Sequence, residues 1–255
     1  GMDQMSKQRI GLWVLLILVL GLAVSSCAKK EPASEESASS TTAAPAARPA
    51  QQEASGGMVP LPLELPKRMF VGTPTNIQGI DHLEKAREGD RPVPLVPTGV
   101  TNVALNKPVT SSVEEPILGE LAMITDGDKE ASDQSLVEID PFTQYVIVDL
   151  EAEHDIFYVL AWHYHKQARV YFDVIVQVSN DPDFIEGVTT LFNNDIDNSS
   201  GLGVGEDMHY VEGNEGKLID AKGVKGRYVR LYSNGSNASD VNHYLEVEVY
   251  GRPAQ

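Results

Sequence analysis

Tyr244-Leu-Glu-Val-Glu-Val-Tyr250 decides the fold class. Leu245, Val247 and Val249 fall on one side of an extended chain, and Glu246, Glu248 and Tyr250 on the other. That period of two belongs to a strand with one face on a core. Working back along the chain, residues 145–150, 156–164, 171–178 and 227–232 are similar short runs. They are rich in β-branched and aromatic residues and bounded by Gly, Asn, Asp and Pro. No useful window repeats apolar residues at helical spacing. Residues 101–255 therefore read as all-β, and short strands with long polar loops predict a β-sandwich or jelly roll. Roughly 155 residues suffice for a core of their own.

Ahead of that domain the composition changes twice. Residues 58–100 mix large apolar residues such as Leu61, Leu63, Leu65, Met69 and Phe70 with prolines at 60, 62, 66, 74, 92, 94 and 97. Proline at this density prevents regular helix or central strand, while the apolar content opposes free solvation. The expectation is an extended arm lying over the domain, with a short helical turn only at 80–88. Residues 27–57 hold mostly Ala, Ser, Glu, Gln, Thr and Pro, with nothing to bury, and read as a disordered tether.

The first 26 residues read as a signal. Lys7 and Arg9 precede a 15-residue apolar run at 10–24, and small residues follow at Ser25 and Ser26. A spanning helix needs about 20 apolar residues, so export fits better than a permanent span. Val24-Ser-Ser-Cys27 resembles the lipobox of bacterial lipoproteins, which implies cleavage before Cys27 and lipidation of its thiol. By the same resemblance, Ala28 after the cysteine implies outer-membrane sorting and a cell-envelope location. Cys27 is the chain's one cysteine, so the domain has no disulfide and no thiol nucleophile.

Charge excludes one class of partner. The chain has 20 Lys and Arg against 37 Asp and Glu. Cleavage before Cys27 would remove Asp3, Lys7 and Arg9 and leave 18 against 36. Such a surface repels phosphate backbones. It suits cations, neutral ligands or basic partners.

Six motifs then occur in order: Asn102-Val-Ala-Leu-Asn-Lys-Pro-Val-Thr-Ser-Ser112, Ile124-Thr-Asp-Gly-Asp128, Val146-Ile-Val-Asp-Leu150, Val176-Gln-Val-Ser-Asn-Asp181, Gly226-Arg-Tyr-Val-Arg-Leu231 and Glu246-Val-Glu-Val-Tyr-Gly251. This set resembles the discoidin, or coagulation factor V/VIII type C, domain of the galactose-binding-like superfamily. The resemblance covers about 150 residues and none of residues 1–100. It implies a jelly-roll β-sandwich, usually non-catalytic, with a ligand site on loops at one end. Many members carry an aromatic soon after the Asp-Gly-Asp segment, and residues 129–140 have none.

Asp126-Gly127-Asp128 is the leading metal candidate, because calcium takes oxygen ligands from a loop able to curl around it. A plain Asp-Gly turn with solvated acids is the alternative. The resemblance implies a structural calcium here, with the carbonyls of Met123 and Leu245 and the side chain of Glu246 as further ligands. A hydroxyl ligand expected near 131 meets Ala131, so Ser132 would have to replace it.

Trp162-His-Tyr-His165 places His163 and His165 on one face of a strand. Two imidazoles at this spacing suit zinc or copper, but no third ligand is evident nearby. Packing inside the domain is the bland account of the pair. With Arg169 following, His163, His165 and Trp162 also suit sugar contact. The donors would bond hydroxyls, and the indole would stack on a pyranose ring. Asn242 and His243, beside the polar run 233–237, form a second loop candidate. The loop 192–210 holds Asp195 and Asp197 but matches neither an EF-hand nor a phosphate loop. No Gly-x-Ser-x-Gly elbow or histidine–glutamate zinc signature occurs.

Together these features point to a lipid-anchored, calcium-stabilised envelope module, not an enzyme, that binds carbohydrate or a protein partner. The alternative is a structural or assembly lipoprotein that docks a membrane or redox complex without sugar.

Overall fold

The computed structural model describes residues 57–255, which belong to one compact unit. The signal segment, Cys27 and the tether up to residue 56 lie outside the described residues. In chain order the strands are β1 Met58–Pro60, β2 Leu95–Pro97, β3 Thr101–Asn102, β4 Val109–Ser111, β5 Val137–Pro141, β6 Gln144–Trp162, β7 Ile175–Ser179, β8 Thr189–Asn193, β9 Lys217–Ser233, β10 Val241–Tyr244 and β11 Glu246–Pro253. Among the described residues there is no α-helix, and no helix is long and apolar enough to cross a membrane.

The framework is a long antiparallel pair. β6 and β9 run beside each other from Gln144↔Ser233 to Ala161↔Lys217. The register shifts between Asp149 and His154, where Glu151 takes φ +63°. An irregularity of this kind bends and twists a strand. It lets one edge of β6 serve two partners: β4 pairs with its first half and β11 with its second. The sheet order is β3-β11-β6-β9-β7-β8, and β10 with β5 forms a separate antiparallel pair. Val137, Ile139 and Tyr244 from that pair join Val146, Val148, Val176, Val229, Leu231, Val247 and Val249 from the large sheet in one core. The fold is the all-β antiparallel sandwich that the motif order implied.

The other face of β11 departs from simple alternation. Glu246, Glu248 and Tyr250, on the side opposite Val247 and Val249, are exposed by only 0%, 4% and 2%. The arm packs over the Tyr250 end of this face, and the Gly127–Lys129 turn meets Glu246 and Glu248. β1 and β2 pair antiparallel and close the base of a loop spanning 58–97. Leu61, Val96 and Val100 pack with Leu160, Trp162, Leu245 and Tyr250 in a second apolar cluster. The Tyr250 hydroxyl donates to Glu248 Oε2 at 2.6 Å and lies 3.4 Å from the Pro62 carbonyl. Lys129 pairs with the other oxygen of Glu248. The buried carboxylate thereby has a cation and a hydroxyl, as burial of a charge requires.

The arm differs from expectation at one point. Residues 80–88 are not helical; the short 3-10 turn is at Thr75–Ile77. The backbone of 82–84 bonds instead to the sandwich. His209 N–H donates to the His82 carbonyl at 2.9 Å, and Glu84 N–H donates to the His209 carbonyl at 2.8 Å. A non-local pairing has replaced the local one.

Leu61→Ala should cost about 2–4 kcal/mol, the range for truncating a buried leucine, and should shift the environment of the adjacent Trp162 cluster. Leu65→Ala, at an exposed site, should change stability by less than about 0.5 kcal/mol. Denaturant unfolding followed by tryptophan fluorescence checks both.

Candidate functional site

The Asp126 turn is assembled by backbone geometry. The 3-10 helix Leu121–Thr125 ends at Asp126, and Gly127 follows at φ +92°, a conformation glycine adopts without steric cost. Gly127 N–H then donates to Glu246 Oε2 at 3.1 Å, joining the turn to the first residue of β11. Asp128 N–H donates to Asp126 Oδ1 at 2.8 Å. Glu246 Oε1 is buried and has no partner. Burial, with the charges of Glu248 and Asp126 adding to it, pushes the Glu246 carboxyl up to about 9.

A buried carboxylate oxygen without a donor is costly, and a hard cation would satisfy it. Asp126 and Glu246 therefore fit the calcium set. The other candidates are arranged differently. Asp128 Oδ2 accepts from Ser135 Oγ at 2.8 Å, and Ser132 Oγ lies 2.6 Å from the same hydroxyl. At Met123 and Leu245 the bonds seen involve other atoms than the two nominated carbonyls: the Met123 sulfur accepts from Glu120 N–H, and Leu245 N–H donates to the Trp162 carbonyl.

The residues nominated for sugar contact lie inside the sandwich. Trp162, His163, His165, Asn242 and His243 are each at most 3% exposed; Arg169 is half-buried. Trp162 Nε1–H donates to the Asn214 carbonyl at 3.0 Å. Gly216 closes over the same indole, because a Cβ there would come within 2.8 Å of Trp162 Nε1. His163 Nδ1 meets Glu212 Oε2 at 2.9 Å, and its ring stacks on Tyr171 with centroids 4.4 Å apart. His165 Nε2 meets the Lys129 carbonyl at 3.0 Å. The two imidazoles thus turn to different partners.

His243 lies between Arg169, at 3.4 Å, and Glu138, at 3.3 Å. Burial, then the charges of Arg169 and His163, lower it to about 4. Asn242 ties two loops together. Its amide donates to the Asp140 and Phe142 carbonyls at 2.7 and 2.8 Å, and its oxygen accepts from Gly235 N–H at 2.8 Å. Burial removes these five side chains from direct reach of an external sugar and leaves Arg169, stacked 4.9 Å over Tyr164, at the margin.

What opens to solvent is elsewhere. The loops 192–210 and 233–237 converge with the arm on a cleft of about 590 Å³, lined by Ile80, Asp81, Phe172, Asp173, His209 and Asn234 among others. Asp173 is the hub: its Oδ2 accepts from Ser199 Oγ and from Asn234 Nδ2, both at 2.7 Å. It holds φ +50°, an uncommon conformation for a non-glycine residue. Asp173, Asp195 and Asp197 bring carboxylate oxygens within 4.8 Å of one another.

For Asp195, burial acts to raise the carboxyl, but hydrogen bonds from Ser200 and Ser199 prevail and hold it low. His209 packs edge-on to Phe172 at 5.4 Å and is held low by burial, against the pull of Asp173. Sequence reasoning singled out both loops but not Asp173, Phe172 or His209. The cue available was Asp173 directly after two aromatics; its partners are 26 and 61 residues away.

No family model matches the chain, and no curated protein matches it. Among solved structures it is similar to a family 89 glycoside hydrolase from Clostridium perfringens, at 17% identity and a TM-score of 0.43. That match covers 60% of this chain but 15% of the hydrolase. It is also similar to a chitosan-binding module from a Paenibacillus sp. IK-5 chitosanase/glucanase, at 23% identity, TM-score 0.41, covering 59% of this chain and 99% of the module. A Streptococcus pneumoniae fucose-binding module gives 17% identity, TM-score 0.41, and 59% and 97% coverage. The fold assignment rests on the strand pairing of the chain itself.

The Glu246 carboxyl sets a pH dependence. Its folded value of about 9 stands above the ordinary 4.5. Between these values the native state keeps a proton that the unfolded chain releases. Its contribution is therefore full below about 4.5 and is lost as pH rises toward 9. Metal-free protein should lose stability across this window with a slope of up to about 1.4 kcal/mol per pH unit. Glu246→Gln should flatten that slope in thermal unfolding measured from pH 5 to 9.

Proposed function

We propose that this chain is a non-catalytic carbohydrate-binding module, held at the cell envelope by a lipid on Cys27 and stabilised by calcium at the Asp126–Glu246 turn. The observation that carries the binding role is the convergence of loops 192–210 and 233–237 with the arm on one open cleft. Carboxylates at Asp173 and Asp197, the Asn234 amide and the Ser199 hydroxyl give that cleft acceptors and donors for vicinal sugar hydroxyls. Phe172 supplies an apolar edge. A few fixed polar groups in a concave site with an aromatic wall are how small-ligand sites gain orientation and specificity. Asp197 and Ser199 are the exposed members of this set, where a ligand would first meet it.

Support for calcium comes from the orphaned oxygen of Glu246. Bound there, a cation would neutralise the buried carboxylate and tie the 121–128 turn to β11. Cleavage before Cys27 would place about 30 tether residues between lipid and arm, a root-mean-square reach of roughly 30 Å. The domain would then act close to the membrane that carries it.

A glycan array with the full chain, with and without calcium, tests this. The expected result is a discrete set of bound glycans, with Asn234→Ala and Asp197→Ala each lowering their affinity about fivefold or more, the value of a lost hydrogen bond to a ligand. Calcium should raise the melting temperature of the wild type and not of Glu246→Gln. An array with no bound glycan in either condition rejects the binding role, and an unchanged melting temperature rejects the calcium.

A further inference from the structure

A second groove lies between the arm and the segment 210–218, with a volume of about 440 Å³. Its lining is unlike the rest of the molecule. Arg68, Lys85, Arg87, Arg91 and Lys217 stand there against two carboxylates, Glu84 and Glu215. Residues 101–255 carry 10 Lys and Arg against 27 Asp and Glu, whereas residues 57–100 carry five of each. The arm thus brings its cations to one edge of a strongly acidic sandwich.

Part of this charge holds the arm in place. Glu215 pairs with Arg87 and accepts from the backbone N–H of Arg91 at 2.8 Å, and it lies 3.9 Å from Arg68. Arg91 donates to the Gly216 and Glu215 carbonyls, and Lys217 pairs with Glu84. Docking does not use all the donors. Arg68 engages Asn214 and Asp90 through Nε and Nη2, and Arg87 engages Glu215 through Nη2. Arg68 Nη1, Arg87 Nε and Nη1, and Lys85 Nζ meet no hydrogen-bond partner among the described residues. The Arg68 and Arg87 side chains are 42% and 48% exposed, so these donors reach solvent. Phe70 and the exposed Val71 add an apolar side to the same groove.

We propose that this groove binds the carboxylate or sulfate groups of an acidic polysaccharide. A guanidinium fork takes such a group through two parallel hydrogen bonds, and a lysine adds a point charge. The apolar residues suit the carbon face of a sugar ring. A nucleic acid fits less well. It carries a charge every ~1.7 Å of duplex axis and would press most of them against the acidic sandwich. A polysaccharide with spaced charges can seat one or two in the groove.

The test is binding of the full chain to polygalacturonate and to dextran lightly substituted with sulfate, whose charges are spaced along the chain, with neutral dextran and a DNA duplex as comparisons. The expected result is retention of the two acidic polysaccharides, weakening as salt screens the contact, and little retention of dextran or DNA. Lys85→Glu, at a side chain that pairs with none of the described residues, should lower affinity about tenfold with an unchanged melting temperature. Arg87→Gln should lower it as well. Equal retention of dextran, or affinity unchanged in both variants, overturns the proposal, and DNA bound as tightly as the polysaccharides overturns the ligand class. The outcome is separable from glycan binding in the other cleft, because Asn234→Ala should leave polygalacturonate binding unchanged.

Discussion

Glu246, Glu248 and Tyr250 project from the face of β11 that an antiparallel sandwich commonly leaves to water, and here the arm, packed on Tyr250, and the Gly127–Lys129 turn, bonded to both glutamates, seal them in. Two carboxylates in a dry layer impose strict conditions, since each needs a cation or donors or must remain protonated. Glu248 has Lys129 and the Tyr250 hydroxyl. Glu246 has one backbone N–H and one unpartnered oxygen. Burial of this second face ties the arm, the closing strand and the Asp126 turn into one energetic unit. It leaves the Glu246 carboxyl to be met by a proton or by a cation.

The same covering shapes the surface. The arm supplies Ile80 and Asp81 to one cleft and Arg68, Lys85 and Arg87 to the other, while the sandwich contributes the opposite walls. Neither cleft could exist on the sandwich alone. The buried network of His163, Glu212, Tyr171 and His243 works behind these surfaces, fixing the end of β6 and the loop after it. Imidazoles there act as packed, hydrogen-bonded rings, and His243 stays neutral at ordinary pH because burial and Arg169 hold it near 4.

Much of the fold was legible in the sequence, because alternation and β-branched runs report directly on pleated strands. The motif order then supplied the sandwich. On the inner side of β11, Val247 and Val249 behaved as the alternation said, whereas Leu245, just ahead of the strand, packs in the second cluster with Tyr250. The outer side did not, because period-two reasoning assumes water beyond the sheet and cannot see an arm whose Pro62 lies 188 residues before Tyr250. The site was less legible for a related reason. His163 and His165 carry chemistry that catches the eye, yet their neighbours bury them. Asp173 is inconspicuous in sequence and gains its role only when Ser199 and Asn234 arrive from distant loops. Asp126, Gly127 and Glu246 could be joined in advance only through the resemblance, since 119 residues separate the bonded pair.

The central claim is that the arm is a packed wall of the domain, and amide hydrogen exchange of the full chain tests it most directly. Leu61 N–H donates to the Pro94 carbonyl, Thr98 N–H to the Gly57 carbonyl and Glu84 N–H to the His209 carbonyl. The account expects peptides carrying these amides to exchange slowly, with protection approaching that of β6, as bonds opened only by larger unfolding do. Full exchange of residues 58–100 within seconds, beside a protected β6 and β9, would contradict it, because the outer face of β11 would then have no lasting cover.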